Sequence, residues 1–255
     1  MAMLDIEYKC PNLHENDTNS YVLGRVGKHN VAIACMSSYG SVNAAVVASH
    51  MQETFPRIHI RLMVGIGGGA PSRANDVRLG DVVVSYPTTT STGVEQYDFG
   101  KTEKGGLFNR IVRLNKPPEQ LLTAVSVLWA HHQSRPSQIP DIVAGLEEAI
   151  PLMAHPGAEK DLLFEADYEH QGHSCTGCDR SRLVKREARL DGNPRIHYGA
   201  IASGNQVMKH GKTRDRIAAE LNIFCFEMEA AGLMDNFSCL VIRGICDYAD
   251  SHKAK

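Results

Sequence analysis

Along the chain, short apolar runs rich in β-branched residues alternate with stretches whose apolar positions recur every three to four residues. The first pattern predicts strands and the second helices. Residues 21–25 and 31–36 read as two strands, joined by turn chemistry at Gly27-Lys28-His29-Asn30, so a hairpin is predicted. Residues 37–41 form a loop. Residues 42–55 predict a helix, with apolar positions at 42, 45, 46, 48 and 51 and Pro56 just past its end. Residues 61–64 then predict a strand entering a glycine loop at 65–69, and residues 81–85 a short buried strand.

The middle of the chain is less regular. Residues 96–100 read as a strand end or turn. Pro117-Pro118 opens a predicted helix that runs to His131, and 141–150 predicts another. From 151 to 194 the sequence is polar, with weak periodicity, and is expected to be a long surface excursion. Order returns with strands at 197–203, 224–226 and 240–245, and with helices at 212–221 and starting at 229–234. Strands interleaved with helices predict one α/β domain over residues 1–255, a three-layer sandwich around a mixed sheet. About ten residues follow the last strand, and residues 1–5 read as the tail of a helix, so the chain reads as a domain trimmed at both ends.

Composition narrows the function classes. The 255 residues are 43% apolar and 22% charged, which suits a folded globular chain and not a disordered one. A net charge of −2 argues against nucleic acid as a partner. No apolar run approaches the roughly 18 residues of a membrane span, and no basic segment precedes an apolar one at the N-terminus, so neither a membrane partner nor a signal peptide is expected. The cysteines number seven, and Cys35, Cys225, Cys239 and Cys246 fall in apolar segments, where the thiol usually acts as a small buried hydrophobe. A reducing cytoplasmic or other intracellular setting is expected.

Three segments carry candidate chemistry. Gly65-Ile66-Gly67-Gly68-Gly69-Ala70 formally matches a dinucleotide fingerprint. That fingerprint needs a helix next, and the ten residues 71–80 before the following strand leave no room for one. Either the glycines make a tight turn or they let backbone N–H groups approach a ligand. At Glu227-Met228-Glu229, two carboxylates sit two apart at a strand-to-helix junction. They are either helix-start acids favoured by the dipole or acids aimed into a cleft at the carboxyl end of the sheet. Asp247 follows a buried strand directly, in the position of a turn aspartate or of a catalytic acid.

Taken together and in order, these segments resemble the nucleoside phosphorylase and methylthioadenosine/S-adenosylhomocysteine nucleosidase superfamily. The resemblance rests on 65–69 with Arg78-Leu79-Gly80-Asp81, on Ser203-Gly204-Asn205, on Glu227-Met228-Glu229-Ala230 and on Arg243-Gly244-Ile245-Cys246-Asp247. It runs from about Asn19 to Lys253 and is closest to the fungal branch joined to ankyrin-repeat or NTPase modules. It implies cleavage of the N-glycosidic bond of purine nucleosides or nucleotides, without metal or other cofactor, by a protein that is commonly a homo-oligomer. Asp247 then matches the acid that protonates the base, and Glu229 the carboxylate on the ribose hydroxyls. Met228 matches the methionine under the sugar and Glu227 the acid preceding it. Val207 falls against the base with Asn205 nearby, Tyr39 at the sugar end of the ligand, and Gly67 and Gly68 against the ribose or its attacker.

Departures from the pattern bear on the reaction. Where phosphorylases usually place an arginine and a hydroxyl for phosphate, this chain has Met63 and Ile66. Losing both weakens anion capture, so hydrolysis is expected over phosphorolysis, with phosphate a lesser candidate partner. The glutamate that activates water after the first strand of the hydrolases has no counterpart, because neither Glu7 nor Glu15 follows a strand as the motif requires. Weak or absent turnover is therefore expected, and a purine-binding or signalling domain is the competing reading.

Two weaker signals remain. His170, His173, Cys175 and Cys178 offer ligands of the kind zinc takes, and C-x₂-C is half of a common structural site, but no second pair follows at finger spacing. A surface loop without metal is the expectation there. Arg180, Arg182, Lys185, Arg186 and Arg189 form a basic stretch, expected to be a solvated loop, or else to meet substrate phosphates if it folds over the cleft.

Overall fold

The structure, a computed structural model, describes residues 3–252 apart from positions 12, 14, 112, 155, 171 and 173. His173, Lys253 and residues 1–2 of the expected helix tail thus lie outside the described residues. The N-terminal part is a three-stranded antiparallel sheet of β1 (Ile6–Tyr8), β2 (Tyr21–Val26) and β3 (His29–Ala34). The hairpin is present, with Val26 opposite His29 across a two-residue turn. Gly27 there takes φ 59°, a left-handed conformation that glycine adopts without a Cβ penalty. The expected helix tail is corrected. Residues 3–5 form a turn and a bend, where the Gly27 N–H donates to the Asp5 carboxylate at 2.6 Å, and lead into Ile6-Glu7-Tyr8, which pairs along β2. A β-branched and an aromatic residue suit a strand, and so short a segment pays the full cost of helix nucleation.

After α1 (Ser41–Thr54) the chain builds the central sheet. Its strands are β4 (Leu62–Gly69), β5 (Val82–Ser85) and β6 (Val94–Gln96), then, past a small hairpin of β7 (Gly100–Thr102) and β8 (Phe108–Arg110), β9 (Ile196–Ser203), β10 (Ile223–Glu227) and β11 (Leu240–Asp247). The order is β10-β4-β11-β5-β9-β6, and β10 also pairs with β9, so the sheet closes on itself. It is mixed: β11 runs parallel to β4 and antiparallel to β5. The α/β class with a mixed central sheet is therefore as expected. Three helices pack around it. Ala44 and Ala48 of α1 meet Leu233 and Met234, Leu121 and Val125 of α2 (Glu119–Ser134) meet Val84, and Ile217 of α4 (Gly211–Leu221) meets Ala200 and Ile223. The amphipathic α3 (Ile139–Ala149) buries no residue. No helix among the described residues is long and apolar enough to cross a membrane.

Four expectations are corrected. Residues 65–69 are not a loop but the second half of β4. Gly68 and Gly69 find β10 on one side while β11 runs along the other, and these ladders override the poor strand propensity of glycine. The helix expected at 229–234 is only a 3-10 turn at Ala230–Gly232. The start of α1 presses on it, so that a Cβ on Gly232 would fall 2.0 Å from the Ser41 carbonyl oxygen. Cys225 and Cys239 are buried as expected, but Cys35 and Cys246 are exposed.

The basic stretch is the fourth. Segment 151–194 holds no α-helix or sheet strand among its described residues, yet Leu163 and Phe164 are buried and three of its arginines are spent on carboxylates. Arg182 pairs with Glu165 and Asp167, and Arg186 with Asp161. Arg189 forks onto Asp81 at 2.6 and 2.7 Å. Asp81 is fully buried and also accepts from His197 at 2.8 Å and from the Arg195 and Arg78 N–H groups at 2.9 and 2.8 Å. Burial alone would push this carboxyl up, but the Arg189 and His197 hydrogen bonds override it and hold the carboxyl well below its usual range.

Truncating Arg189→Ala leaves a buried carboxylate short of its cation and is expected to destabilise the fold by about 3 kcal/mol in urea unfolding. The sign with pH follows from the depressed value. Asp81 contributes its full stabilisation above the unfolded carboxyl value of about 3.9 and loses it as pH falls toward the folded one. The difference between wild type and Arg189→Ala should therefore shrink in acid. A constant difference from pH 7 to pH 3 contradicts the assignment.

Candidate active site

Between the N-terminal sheet and β4 lies a cleft of about 2120 Å³. Leu62, Val64 and Ile66 of β4 point into it, and their strand has no second neighbour there among the described residues. The polar end of the cleft is where β4, β10 and β11 finish. Glu227, Met228 and Glu229 line it from the end of β10, Asp247 from the end of β11, and Gly67 and Gly68 from β4. Val207 and Tyr39 line it from loops, 41% and 67% exposed. The structure thus brings eight of the nine sequence-predicted site residues to one cleft.

Asn205 is the exception, since it does not line the cleft. Its Oδ1 accepts from the Ser41 N–H at 3.1 Å and hydroxyl at 2.9 Å, and its own N–H donates to Asp98 at 2.6 Å. It ties the 203–208 loop to the start of α1 and so positions Val207.

The centre of the polar end is a residue that sequence reasoning passed over. Arg243 lies inside the apolar run of β11 and is buried. Its Nη2 donates to Glu227 and, at 3.1 Å, to Glu229, bridging the two carboxylates. The signal was available: an arginine in the middle of Leu240-Val241-Ile242-Arg243-Gly244-Ile245 needs a buried anion to be tolerated. Glu227 also accepts from the Glu229 N–H at 3.1 Å and the Ala230 N–H at 3.0 Å. Burial pushes its carboxyl above the usual range, and the Arg243 charge pulls it back. Glu227 is thereby committed to the fold, while Glu229 keeps one oxygen and an edge toward the cleft.

The glycines of β4 serve these side chains as much as any ligand. A Cβ on Gly65 would stand 2.2 Å from Arg243 Nη1, and one on Gly68 would stand 2.9 Å from Asp247 Oδ1. Asp247 is aimed by a bulge. Ile245 pairs with Gly67 and Asp247 with Gly68, so Cys246 is an extra residue that turns Asp247 out of the alternation Arg243 and Ile245 follow. The Ala249 N–H, on a residue at φ 51°, holds Asp247 Oδ1 at 2.8 Å, and the Cys246 thiol lies 3.1 Å from Oδ2. The result is an acid fixed at the floor of the cleft, opposite a carboxylate that can accept two hydroxyls. No arginine of the 180–189 stretch lines the cleft, so the basic loop does not meet a ligand there.

Comparison with known proteins bears on the family and the fold. Residues 3–255 match the family model described as Phosphorylase superfamily. A nucleotide-binding leucine-rich repeat (NLR)-like protein of Hyaloscypha variabilis is 48% identical over 258 residues, covering the whole of this chain and 26% of that protein. The chain thus spans about a quarter of that relative's length. Among solved structures, the 5′-methylthioadenosine/S-adenosylhomocysteine nucleosidase of Neisseria meningitidis, in complex with methylthio-immucillin-A, superposes with a TM-score of 0.58 at 16% identity, over 99% of this chain and 81% of that one. The futalosine hydrolase of Helicobacter pylori does so with a TM-score of 0.58 at 16% identity, over 99% and 80%. At these identities the likeness is one of fold.

Two substitutions test the architecture of the site. Arg243→Met strands Glu227 and Glu229 and is expected to lower unfolding stability by about 3–5 kcal/mol. Gly68→Ala forces Asp247 and Ala249 apart and should cost about 1–3 kcal/mol. Denaturation midpoints within error of wild type for both contradict the packing described.

Proposed function

Because the chain belongs to the phosphorylase superfamily, we propose that it cleaves the N-glycosidic bond of purine nucleosides or nucleotides, by hydrolysis in preference to phosphorolysis. The observation that carries this reading is the meeting of Asp247 and the Arg243-held Glu229 at one end of one cleft. As the bond from the sugar's anomeric carbon to the base nitrogen breaks, its electron pair leaves with the base and positive charge develops on the ribose, until a water oxygen bonds to the anomeric carbon and releases its proton to solvent. Asp247 shares or donates a proton to the departing base, a contribution worth about 10²–10⁴ in rate. Glu229 accepts hydrogen bonds from the ribose 2′ and 3′ hydroxyls and, with Glu227, places negative charge beside the forming cation. Met228 lies under the sugar, Val207 against the base and Tyr39 toward the 5′ end. Gly67 and Gly68 leave room at the ribose face.

Hydrolysis is preferred because the guanidinium at the glycine end, Arg243, is already bound to two carboxylates. Met63 and Ile66 add neither charge nor hydroxyl for a phosphate. The Neisseria protein's nucleosidase name and its bound methylthio-immucillin-A support the same substrate class. We place the protein inside the cell and as a homo-oligomer, the former in keeping with cysteines that form no disulfide among the described residues.

A second reading has its own support. Among the described residues lining the cleft, the carboxylates are Glu227, Glu229 and Asp247, and each already has a task other than activating water. Slow turnover follows, and a purine-binding sensor module would suit a domain that matches a quarter of an NLR-like protein.

Chromatographic assay of adenine release from adenosine, methylthioadenosine, AMP and ATP separates these readings. Phosphate-independent release that falls about 10²–10⁴-fold in Asp247→Asn is the expected outcome. Release that requires phosphate contradicts hydrolysis. Saturable purine binding with no release from any substrate identifies the sensor.

A further inference from the structure

We propose that His170, Cys175 and Cys178 form a structural zinc site, with His252 as the fourth ligand, that fastens segment 161–189 to the chain just past Asp247. The Cys175-Thr176-Gly177-Cys178 sequence folds into a 3-10 turn, closed by the Cys178 N–H on the Cys175 carbonyl at 3.2 Å. This puts both sulfurs on one side of the turn. The His170 ring comes to the same place, so that one donor atom from each of the three lies within 4.8 Å of the others. A tetrahedral zinc with bonds of about 2.3 Å to sulfur and 2.0 Å to nitrogen wants its ligands roughly 3.5–3.8 Å apart, a closure of about an ångström. Cys178 is buried and Cys175 half-buried. Only half a zinc motif is legible in the sequence, because His252 stands far along the chain.

The independent observation is His252, which stands outside that group of three and would have to approach it to complete the site. Its side chain is 4% exposed, and neither ring nitrogen has a hydrogen-bond partner among the described residues. The nearest carboxylate, on Asp250, is 3.7 Å away, beyond hydrogen-bond length. An imidazole buried without partners costs free energy that a ligand recovers. The ring stands edge-on to His170 with centroids 5.3 Å apart, while Phe164 stacks on it at 4.2 Å. Two thiols this close repel when both ionise. A divalent cation removes that repulsion as the ligands lose their protons.

The backbone around the site already joins the same two segments. The His170 N–H donates to Ser251 Oγ at 2.9 Å, and the Cys175 thiol reaches the His252 carbonyl at 3.8 Å. Residues 251–252 lie four and five positions beyond Asp247. The zinc therefore acts on the position of Asp247 and takes no part in the reaction.

The test is metal content and cobalt spectroscopy on the purified, reduced protein. One zinc per chain is expected by mass spectrometry. Replacement by Co²⁺ should give a sulfur-to-cobalt charge-transfer band that Cys175→Ser abolishes. His252→Ala should weaken Zn²⁺ retention at least tenfold in competition with a chelator. Circular dichroism of each variant establishes that it is folded, and Cys175→Ser, at a half-buried position, keeps the test open if His252→Ala does not fold. Folded wild type that holds no zinc and gives no charge-transfer band with stoichiometric Co²⁺ overturns the site. Zinc retained undiminished by folded Cys175→Ser overturns it equally. A site that persists while adenine release is absent leaves the zinc proposal standing and bears only on the catalytic one.

Discussion

The one interaction on which the site depends is the burial of a single guanidinium between two carboxylates. Arg243 could not sit in the middle of an apolar strand alone, and it bridges the buried Glu227 and Glu229 there. Much of the local sequence follows from that constraint. Gly65 is a glycine because the guanidinium fills the space of its side chain. The chain after β10 turns in a 3-10 loop because Glu227 gathers the N–H groups of Glu229 and Ala230. Glu229, held from below by the same arginine, is left with its position set and its free edge facing the cleft.

The second constraint is the aim of Asp247. A strand presents alternate residues to alternate faces, and simple alternation would send Asp247 the way of Arg243 and Ile245. The extra residue at Cys246 breaks the alternation, and the strained turn at Ala249 fixes the carboxylate. The chain just beyond Asp247 is tied down repeatedly. Tyr248 donates to Asp161 and accepts from Arg186 at 2.8 Å, and Arg214 holds the Tyr248 carbonyl at 2.9 Å. The irregular segment 151–194 is thus a clasp on the end of the strand that carries Asp247, and its arginines are the fingers of that clasp.

The pattern of apolar positions made the fold legible wherever period and burial agreed. The strands expected at 81–85 and 197–203 appear at Val82–Ser85 and Ile196–Ser203, and the helix expected at 212–221 at Gly211–Leu221. It failed where long-range contacts overrule local preference. Five positions of glycine-rich chain look like a loop until two partner strands supply their hydrogen bonds. Glu229-Ala230-Ala231-Gly232-Leu233-Met234 has helical composition, but the start of α1 and the Glu227 carboxylate stop it after one turn. At the site, the acids were legible because they interrupt apolar runs at strand ends. The bulge, the commitment of Asn205 to Ser41, and the pairing of Arg189 with Asp81 across more than a hundred residues were not, since each depends on a partner that only the folded chain supplies.

On the proposed reading, Glu229, positioned by Arg243, is the receptor for two neighbouring ribose hydroxyls. The most direct test is calorimetric binding of adenosine against 2′-deoxyadenosine to the intact protein. A hydrogen bond to a charged group is worth about 1.5–3 kcal/mol, so the deoxy compound should bind roughly 10- to 100-fold more weakly. Equal affinity for the two, or no saturable binding of either, would contradict it.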